Sequence, residues 1–319
     1  DVITEVSPYR PHLYISGGEP LLREDLPEII SHASDKGLVT RMASNSTLLE
    51  GKSGDLIESG LTVLFSSIDG FDFETNWMRA KGSATTRALE GIRRFNEEKK
   101  ARGTRLPLLR IHTVVSAHNQ DKLEDIAVFV EKELEADIWT VGLEEFTTAA
   151  LFNESSKMFF RLFGGKQEMA AGLIRPVEKV DLKHVEKQLT SIRNKKWGFR
   201  FYAIPPLMSR ITRHKGYYTN PEAFLGDVYC PYPHVYSFIN PNGDVGACCN
   251  ISELVFGNIK EYGFMEIWNN KSMREFRDVL SKRLLPTCTR CMSLYWLINQ
   301  VPEKLGEFRM KNPLGGKII

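Results

Sequence analysis

The chain has 319 residues, 42% of them hydrophobic, with 42 basic and 40 acidic side chains and a formal charge of +2. That length suits about two domains with a sizeable core, at roughly 150 residues each, and the near balance of charge excludes a general electrostatic draw to nucleic acid. No apolar run reaches the ~18 residues that a membrane-spanning helix needs.

The sequence opens at Asp1 rather than Met and enters a strand-like run within its first fourteen residues, so it reads as part of a longer chain whose beginning lies upstream. Residues 12–16 are a short strand signal ending in Gly17-Gly18-Glu19-Pro20, a sharp turn that leaves amides and one carboxylate at the strand's carboxyl end. Asp25 reads as a helix cap with Glu28 completing a capping box; Leu26, Ile29, Ile30 and Ala33 follow at helical spacing and Gly37 stops the helix. Residues 39–43 are the next strand, leading into Ser44-Asn45-Ser46, and a short helix starts at Ser53 and Asp55 and ends at Gly60.

The alternation repeats with a strand at 62–68 closed by Asp69-Gly70, a helix at 84–100 and a strand at 108–115. A helix at 123–134 and a strand at 138–141 complete it. Continuous apolar strands taking turns with helices predict a parallel sheet covered by helices, whose ligand sites lie past the strands' carboxyl ends. Periodicity leaves the strand order open between a doubly wound sheet and a barrel. Arg110 and His112 alternate with apolar neighbours, and either can face a site; a histidine held by a core hydrogen bond is the simpler account of His112. Glu144 and Glu145, after the last strand, read as proton acceptors near a substrate or as a hydrated loop.

Residues 146–228 break the rhythm. They hold an aromatic patch at Phe152, Phe159, Phe160 and Phe163, a mixed-charge helix at 180–193, and basic residues interleaved with aromatics at 195–200 and 210–218. A solvated helix face and core aromatics account for this interleaving more simply than contact with nucleic acid.

All five cysteines fall after residue 229, at Cys230, Cys248, Cys249, Cys288 and Cys291. Soft thiolates gathered in two paired approaches, one of them a CxxC, predict a metal centre, and both tetrahedral zinc and an iron-sulfur cluster satisfy the spacing. Nothing resembles a secretory leader that would favour disulfides, so a soluble, reducing, cytoplasmic setting is expected. Cys249 is left over and reads as a small buried side chain.

Two motif sets combine into a resemblance. Gly17-Gly18-Glu19-Pro20-Leu21-Leu22 after one strand, Ser67-Ile68-Asp69-Gly70 after another, and Arg79 ten residues beyond Asp69 resemble the radical S-adenosylmethionine enzymes. Cys230-x12-Gly243-x4-Cys248 with Cys288-x2-Cys291 is similar to their C-terminal auxiliary-cluster region of the SPASM or twitch type. Phe256-Gly-Asn-Ile259 and Glu266-Ile-Trp-Asn269 resemble the linker of such regions, and the likeness covers about residues 12–292.

The resemblance implies an α/β fold: a partial (β/α)6 TIM-like barrel lacking its first unit at 1–145 and a bridging segment over the barrel mouth at 146–228. A small cysteine-rich iron-sulfur region at 229–295 and a tail at 296–319 would follow. It implies cofactor binding by Gly17, Gly18, Glu19, Pro20, Asn45, Ser67, Asp69 and Arg79, with the Gly-Gly-Glu turn receiving the methionine ammonium and Ser67 and Arg79 holding the carboxylate and ribose end. By the same likeness Cys230, Cys248, Cys288 and Cys291 would ligate one auxiliary [4Fe-4S] cluster.

The departures are as informative. No CxxxCxxC occurs in these residues, so the catalytic [4Fe-4S] cluster is expected only in the full-length parent, and this chain alone is expected not to generate a radical. Ser46 stands where a glycine is usual, Thr75 and Asn76 stand where His-Asp is common, and no cysteine follows Cys291, which favours a single, twitch-like cluster. The expected function is reductive cleavage of S-adenosylmethionine and hydrogen abstraction from a peptide or small-molecule substrate. An electron donor such as flavodoxin or ferredoxin is expected as partner, with no nucleic acid and no membrane. The rival is a non-catalytic zinc- or iron-sulfur-binding scaffold, or a degenerate family member.

Overall fold

Strand β4 (Leu108–Val115) shows how the main sheet is built: Leu109, Ile111, Thr113 and Val115 are buried, while Leu108, Arg110, His112 and Val114 between them are only partly so. The same period of two recurs in β2 (Val39–Ser44), so these two strands are two-faced rather than continuously apolar. In the computed structural model, which describes residues 1–71, 83–177, 179–204, 216–224 and 229–294, these strands belong to the first of two units. That unit comprises Asp1–Leu143 with Glu178–Ala203, and the second comprises Glu144–Val177 with Ile204–Ile319.

The first unit begins with α1 (Val2–Val6) and continues as β1 (His12–Ile15), α2 (Leu26–Asp35), β2, α3 (Ser53–Glu58) and β3 (Val63–Ser67). Then come α4 (Ala84–Ala101), β4, α5 (Leu123–Lys132), β5 (Ile138–Leu143), α7 (Leu182–Asn194) and β6 (Arg200–Ile204). The six strands lie side by side in chain order, and β1 to β5 pair in parallel, with Arg41 beside Val63, Phe65 beside Arg110 and His112 beside Thr140. A doubly wound sheet reverses its order at a switch point. Unbroken order with right-handed crossovers puts the helices on one face, the connectivity of a partial barrel, here left open at β1 and β6. Beneath the helices Met42, Leu64, Leu109 and Ile111 are fully buried, as are Ile30, Ile92, Phe95 and Ile126 of the helices themselves.

Two local expectations are corrected. Asp25 precedes α2, but its side chain makes no cap bond; the carboxylate instead takes Arg23 at 2.5 and 2.8 Å. The stretch without rhythm folds regularly: its aromatic patch is the helix α6 (Ala149–Phe163), capped by Thr148 on Leu151 N at 3.2 Å, and residues 200–204 form β6. The aromatics of 195–200 are packing groups, since Trp197 stacks on Phe199 at 5.2 Å and Phe199 meets Trp139 at 5.6 Å, while 210–215 of the second interleaved run lie outside the described residues.

In the second unit a small antiparallel sheet, β7 (Phe238–Ile239), β8 (Asp244–Gly246) and β9 (Gly257–Asn258), is followed by α8 (Phe264–Trp268) and α9 (Lys271–Lys282). Phe159, Val245, Ile267, Met273, Phe276 and Leu280 form its core. Gly243 turns the β7–β8 hairpin at φ +99°, where a Cβ would lie 2.7 Å from Asn258 Oδ1, so this position requires glycine. The tail at 296–319 lies outside the described residues. Among the described residues no helix is long and apolar enough to cross a membrane.

Candidate cofactor and metal sites

At the carboxyl ends of β1 to β3, backbone geometry and one carboxylate make a polar rim. Gly17 and Gly18 are exposed, Gly17 has φ +141°, and a Cβ at either would meet nothing within 4 Å, which leaves the turn's backbone approachable. Pro20 starts a short 3-10 turn behind them, and Glu19 caps it by accepting from Leu21 N at 3.1 Å. The same carboxylate accepts from Ser44 Oγ at 2.8 Å and Asn45 N at 2.9 Å, tying the turn to the end of β2. With three donors already on it, Glu19 positions the rim as much as it offers acceptor capacity.

Asn45 uses its side-chain oxygen on Thr47 N and Oγ1, at 2.9 and 2.7 Å. Next to it Ser46 has a φ of +64°, the left-handed backbone that glycine takes most easily, and its hydroxyl bonds Ser66 Oγ at 2.6 Å. Ser67 ends β3, beside His112 in register. Asp69 is turned into the protein: it is 2% exposed and accepts from Val114 N at 2.8 Å, while Asn119 bonds its carbonyl at 3.0 Å. Its carboxylate therefore locks strand ends together. Thr75, Asn76 and Arg79 lie outside the described residues.

In the second unit Cys230, Cys248, Cys288 and Cys291 all line one cavity, walled on its apolar side by Leu280, Leu284, Ile251 and Leu294. Cys230 is held there by its N–H on Leu280 O at 2.8 Å, and the CxxC turn closes through Cys288 N on Leu285 O at 2.9 Å and Cys291 N on Cys288 O at 3.2 Å. Burial pushes the Cys230 thiol up to about 11 and the Cys288 thiol up to about 12, with the neighbouring Cys230 adding to the latter. Cys248 and Cys291 are raised well above the ordinary thiol range by burial and then by charged neighbours, Cys288 among them in both cases. Such thiols ionise only against a compensating positive centre, so metal loading here releases protons. Among the described residues no three His, Cys, Asp or Glu side chains converge on a single metal-ion position. Four thiols lining one apolar cavity have the donor chemistry that an iron-sulfur cluster takes.

Cys249 also lines this cavity but is exposed, which corrects the expectation of a buried side chain. The two glutamates after β5 part company. Glu144 pairs with Arg175 at 2.9 Å. Glu145 takes a hydrogen bond from Asn250, whose amide also reaches Cys291 Sγ at 3.7 Å, so it sits behind the cavity-lining Asn250.

On the sheet face opposite the helices, sequence reasoning singled out Arg110 but missed Arg41 and Tyr14. Arg110 lies over the Phe65 ring at 4.7 Å and the Tyr202 ring at 5.9 Å and donates to Thr140 Oγ1 at 2.8 Å. Tyr14 meets Phe65 edge-on at 5.6 Å. Arg41, beside Tyr14 in register, has a buried Nε with no hydrogen-bond partner. The signal was the alternation within 39–44, which puts Arg41 on the face away from buried Thr40 and Met42.

A six-stranded, chain-ordered parallel sheet with a glycine-acid turn at its rim defines a partial-barrel architecture, and a second unit adds a four-thiol cavity. Residues 2–130 match the radical SAM superfamily and residues 230–292 match SPASM, an iron-sulfur cluster-binding domain. The AdoMet-dependent heme synthase of Methanosarcina barkeri is 30% identical over 284 residues, 84% of this chain and 71% of that one. The PqqA peptide cyclase of Bradyrhizobium diazoefficiens is 29% identical over 212 residues, 61% of this chain and 51% of its own length. Among solved structures, Streptococcus suis SuiB bound to S-adenosylmethionine superposes with a TM-score of 0.62 at 15% identity, over 91% of this chain and 63% of SuiB. The chain thus spans about half of that peptide cyclase and under two thirds of SuiB.

The chain belongs to the radical S-adenosylmethionine superfamily and carries a SPASM region. The cofactors of that class are S-adenosylmethionine and [4Fe-4S] clusters, which decides the alternative of zinc or iron-sulfur left open by cysteine spacing.

Proposed function

We propose that the whole protein is a radical S-adenosylmethionine enzyme that abstracts a hydrogen from a peptide or small-molecule substrate, with an auxiliary cluster assisting the oxidation. The observation that carries the reading is the convergence of Cys230, Cys248, Cys288 and Cys291 on one buried cavity in the SPASM-matched region. When bound, the cofactors of this class supply reductive cleavage and a hydrogen-abstracting radical. The chain's own residues do the holding. Gly17 and Gly18 offer open backbone to the cofactor's methionine end, Pro20 presets the turn, and Glu19 fixes it against Asn45. Ser67, at the end of β3, is assigned to the same ligand. The four cysteines hold the auxiliary cluster, and the apolar wall of Leu280, Leu284 and Leu294 excludes water from it.

Peptide substrates are supported by the relatives: a PqqA peptide cyclase, and a solved structure of SuiB bound to its precursor peptide SuiA. The heme synthases support a small molecule instead. A flavodoxin- or ferredoxin-like electron donor and a cytoplasmic setting complete the proposal. Because no cysteine precedes Cys230, this chain by itself is proposed to form no 5′-deoxyadenosine, the second reading being a cluster-binding scaffold.

The test is iron, sulfide and zinc content per chain after anaerobic purification, with Cys288→Ala/Cys291→Ala alongside. About four iron and four sulfide, lost in the double variant, is expected. Roughly one zinc without sulfide would move the protein to a stapled scaffold.

A further inference from the structure

On the face of the main sheet opposite its helices, two guanidinium groups stand among aromatic rings, with no acid beside them among the described residues. Arg41 of β2 and Arg110 of β4 have between them Phe65 of β3, which Arg110 covers at 4.7 Å. Tyr14 of β1 packs edge-on against that ring at 5.6 Å. Among the described residues no carboxylate pairs with either arginine, and Arg41 Nε is buried without a hydrogen-bond partner. Arg110 spends one N–H on Thr140 Oγ1 at 2.8 Å. Burial first, and then Arg41, disfavours the Arg110 cation, so the two positive charges are close enough to oppose each other. Burial disfavours Arg41 too, and Arg41 in turn helps to depress His12 on β1.

A purely structural arginine in a buried or half-buried setting normally has a carboxylate or a set of carbonyls around it, because an unpaired buried charge is costly. Arg290 of the second unit is such a case, with donations to the carbonyls of Tyr217, Ala223 and Gly216 at 2.7, 2.7 and 3.0 Å. Arg41 and Arg110 are opposite in character. Rigid forked donors on the two strands that flank β3, mutually repelling and set among neutral rings, are complementary to an oxyanion.

We propose that Arg41 and Arg110 form an anion-binding pair for a carboxylate or phosphate carried by the substrate, with Tyr14, Phe65 and Tyr202 packing against the portion that bears it. The proposal rests on the radical-enzyme reading for calling the ligand a substrate, and it narrows that substrate to an anionic one. S-adenosylmethionine also carries a carboxylate, so the test has to separate the two.

Glutarate and inorganic phosphate serve as probes, titrated calorimetrically into the chain with and without saturating S-adenosylmethionine, whose own affinity is measured in parallel. One or both probes should bind, with Kd raised at least tenfold in Arg41→Gln and in Arg110→Gln, partly restored in Arg41→Lys, and unchanged in Arg93→Gln on the helix side. Circular dichroism verifies that each variant is folded. A preference for glutarate identifies a carboxylate substrate, and one for phosphate a phosphorylated one. No binding of either probe, equal binding by the Gln variants, or loss of binding once S-adenosylmethionine is present would overturn the proposal, the last by giving the pair to the cofactor. A chain that binds probe but not S-adenosylmethionine would withdraw the cofactor roles proposed for Gly17, Gly18, Glu19 and Ser67 and leave the anion site standing.

Discussion

Glu19 does three jobs with one carboxylate, accepting from Leu21 N, Ser44 Oγ and Asn45 N. Glu19→Ala should therefore destabilise the first unit by about 2 kcal/mol, since the partly buried donors of Leu21 and Ser44 lose a charged acceptor. It should also weaken S-adenosylmethionine binding; denaturant melts and equilibrium dialysis measure the two effects, and unchanged affinity would show that the turn does not need this tie. Gly91 on α4 is a tighter constraint, because an added Cβ would lie 2.7 Å from the Ser46 carbonyl oxygen and 3.0 Å from Leu49 Cβ. Gly91→Ala is expected to cost about 1 to 3 kcal/mol in a thermal or urea melt, as an overpacked contact. Gly17-Gly18-Glu19-Pro20 was legible because glycine pairs and proline announce turns by their own dihedral limits. The left-handed Ser46 was legible only as a departure from a family habit, for serine carries no signal for a φ of +64°.

At the scale of elements, helices and strands came close to expectation wherever apolar spacing was regular: β4 spans Leu108–Val115 as read, and α4 runs Ala84–Ala101 against a reading of 84–100. Strand β6 was missed because Arg200–Ile204 is short and follows a basic, aromatic run; its place in the sheet is decided by pairing beside β5. The 3-10 turn Pro286–Arg290 makes two further tests possible. It carries Arg290, which is fully buried and bonded to backbone carbonyls of Gly216, Tyr217 and Asn220 among others. Arg290→Met should cost about 3 kcal/mol by orphaning those acceptors, read as a lower melting temperature of the second unit. The same turn presents Cys288, whose thiol is pushed up to about 12 as that of Cys230 is to about 11. A thiol raised in the folded state stays protonated while the unfolded chain ionises near pH 8.5, so the metal-free protein should lose stability as pH rises from about 8.5 towards 11. Cys230→Ser/Cys288→Ser should flatten that loss; an equal slope in the variant would mean that other groups govern it.

At the scale of the whole molecule, reductive chemistry needs thiolates that these 319 residues do not supply before Cys230. Loaded with iron and sulfide and given dithionite and S-adenosylmethionine, this chain should yield no 5′-deoxyadenosine by chromatography. Appreciable product would mean that the cysteines of the second unit can support cleavage, and would reassign Cys230, Cys248, Cys288 and Cys291. Fold likeness to SuiB at 15% identity carries the architecture and nothing finer.

By itself the sequence determined the strand-helix rhythm, the turns and the gathering of thiols, because apolar spacing, glycine and proline act over a dozen residues or fewer. It also carried the paired motifs by which the superfamily is recognised. Only the tertiary structure decided that the strands lie in unbroken order, that Asp69 faces inward to Val114, and that Arg41 and Arg110 share a face with Tyr14 and Phe65. It alone brought Cys230 and Cys248 to the cavity that holds Cys288 and Cys291. Those outcomes depend on pairing and burial between segments far apart in the chain, which no local pattern encodes.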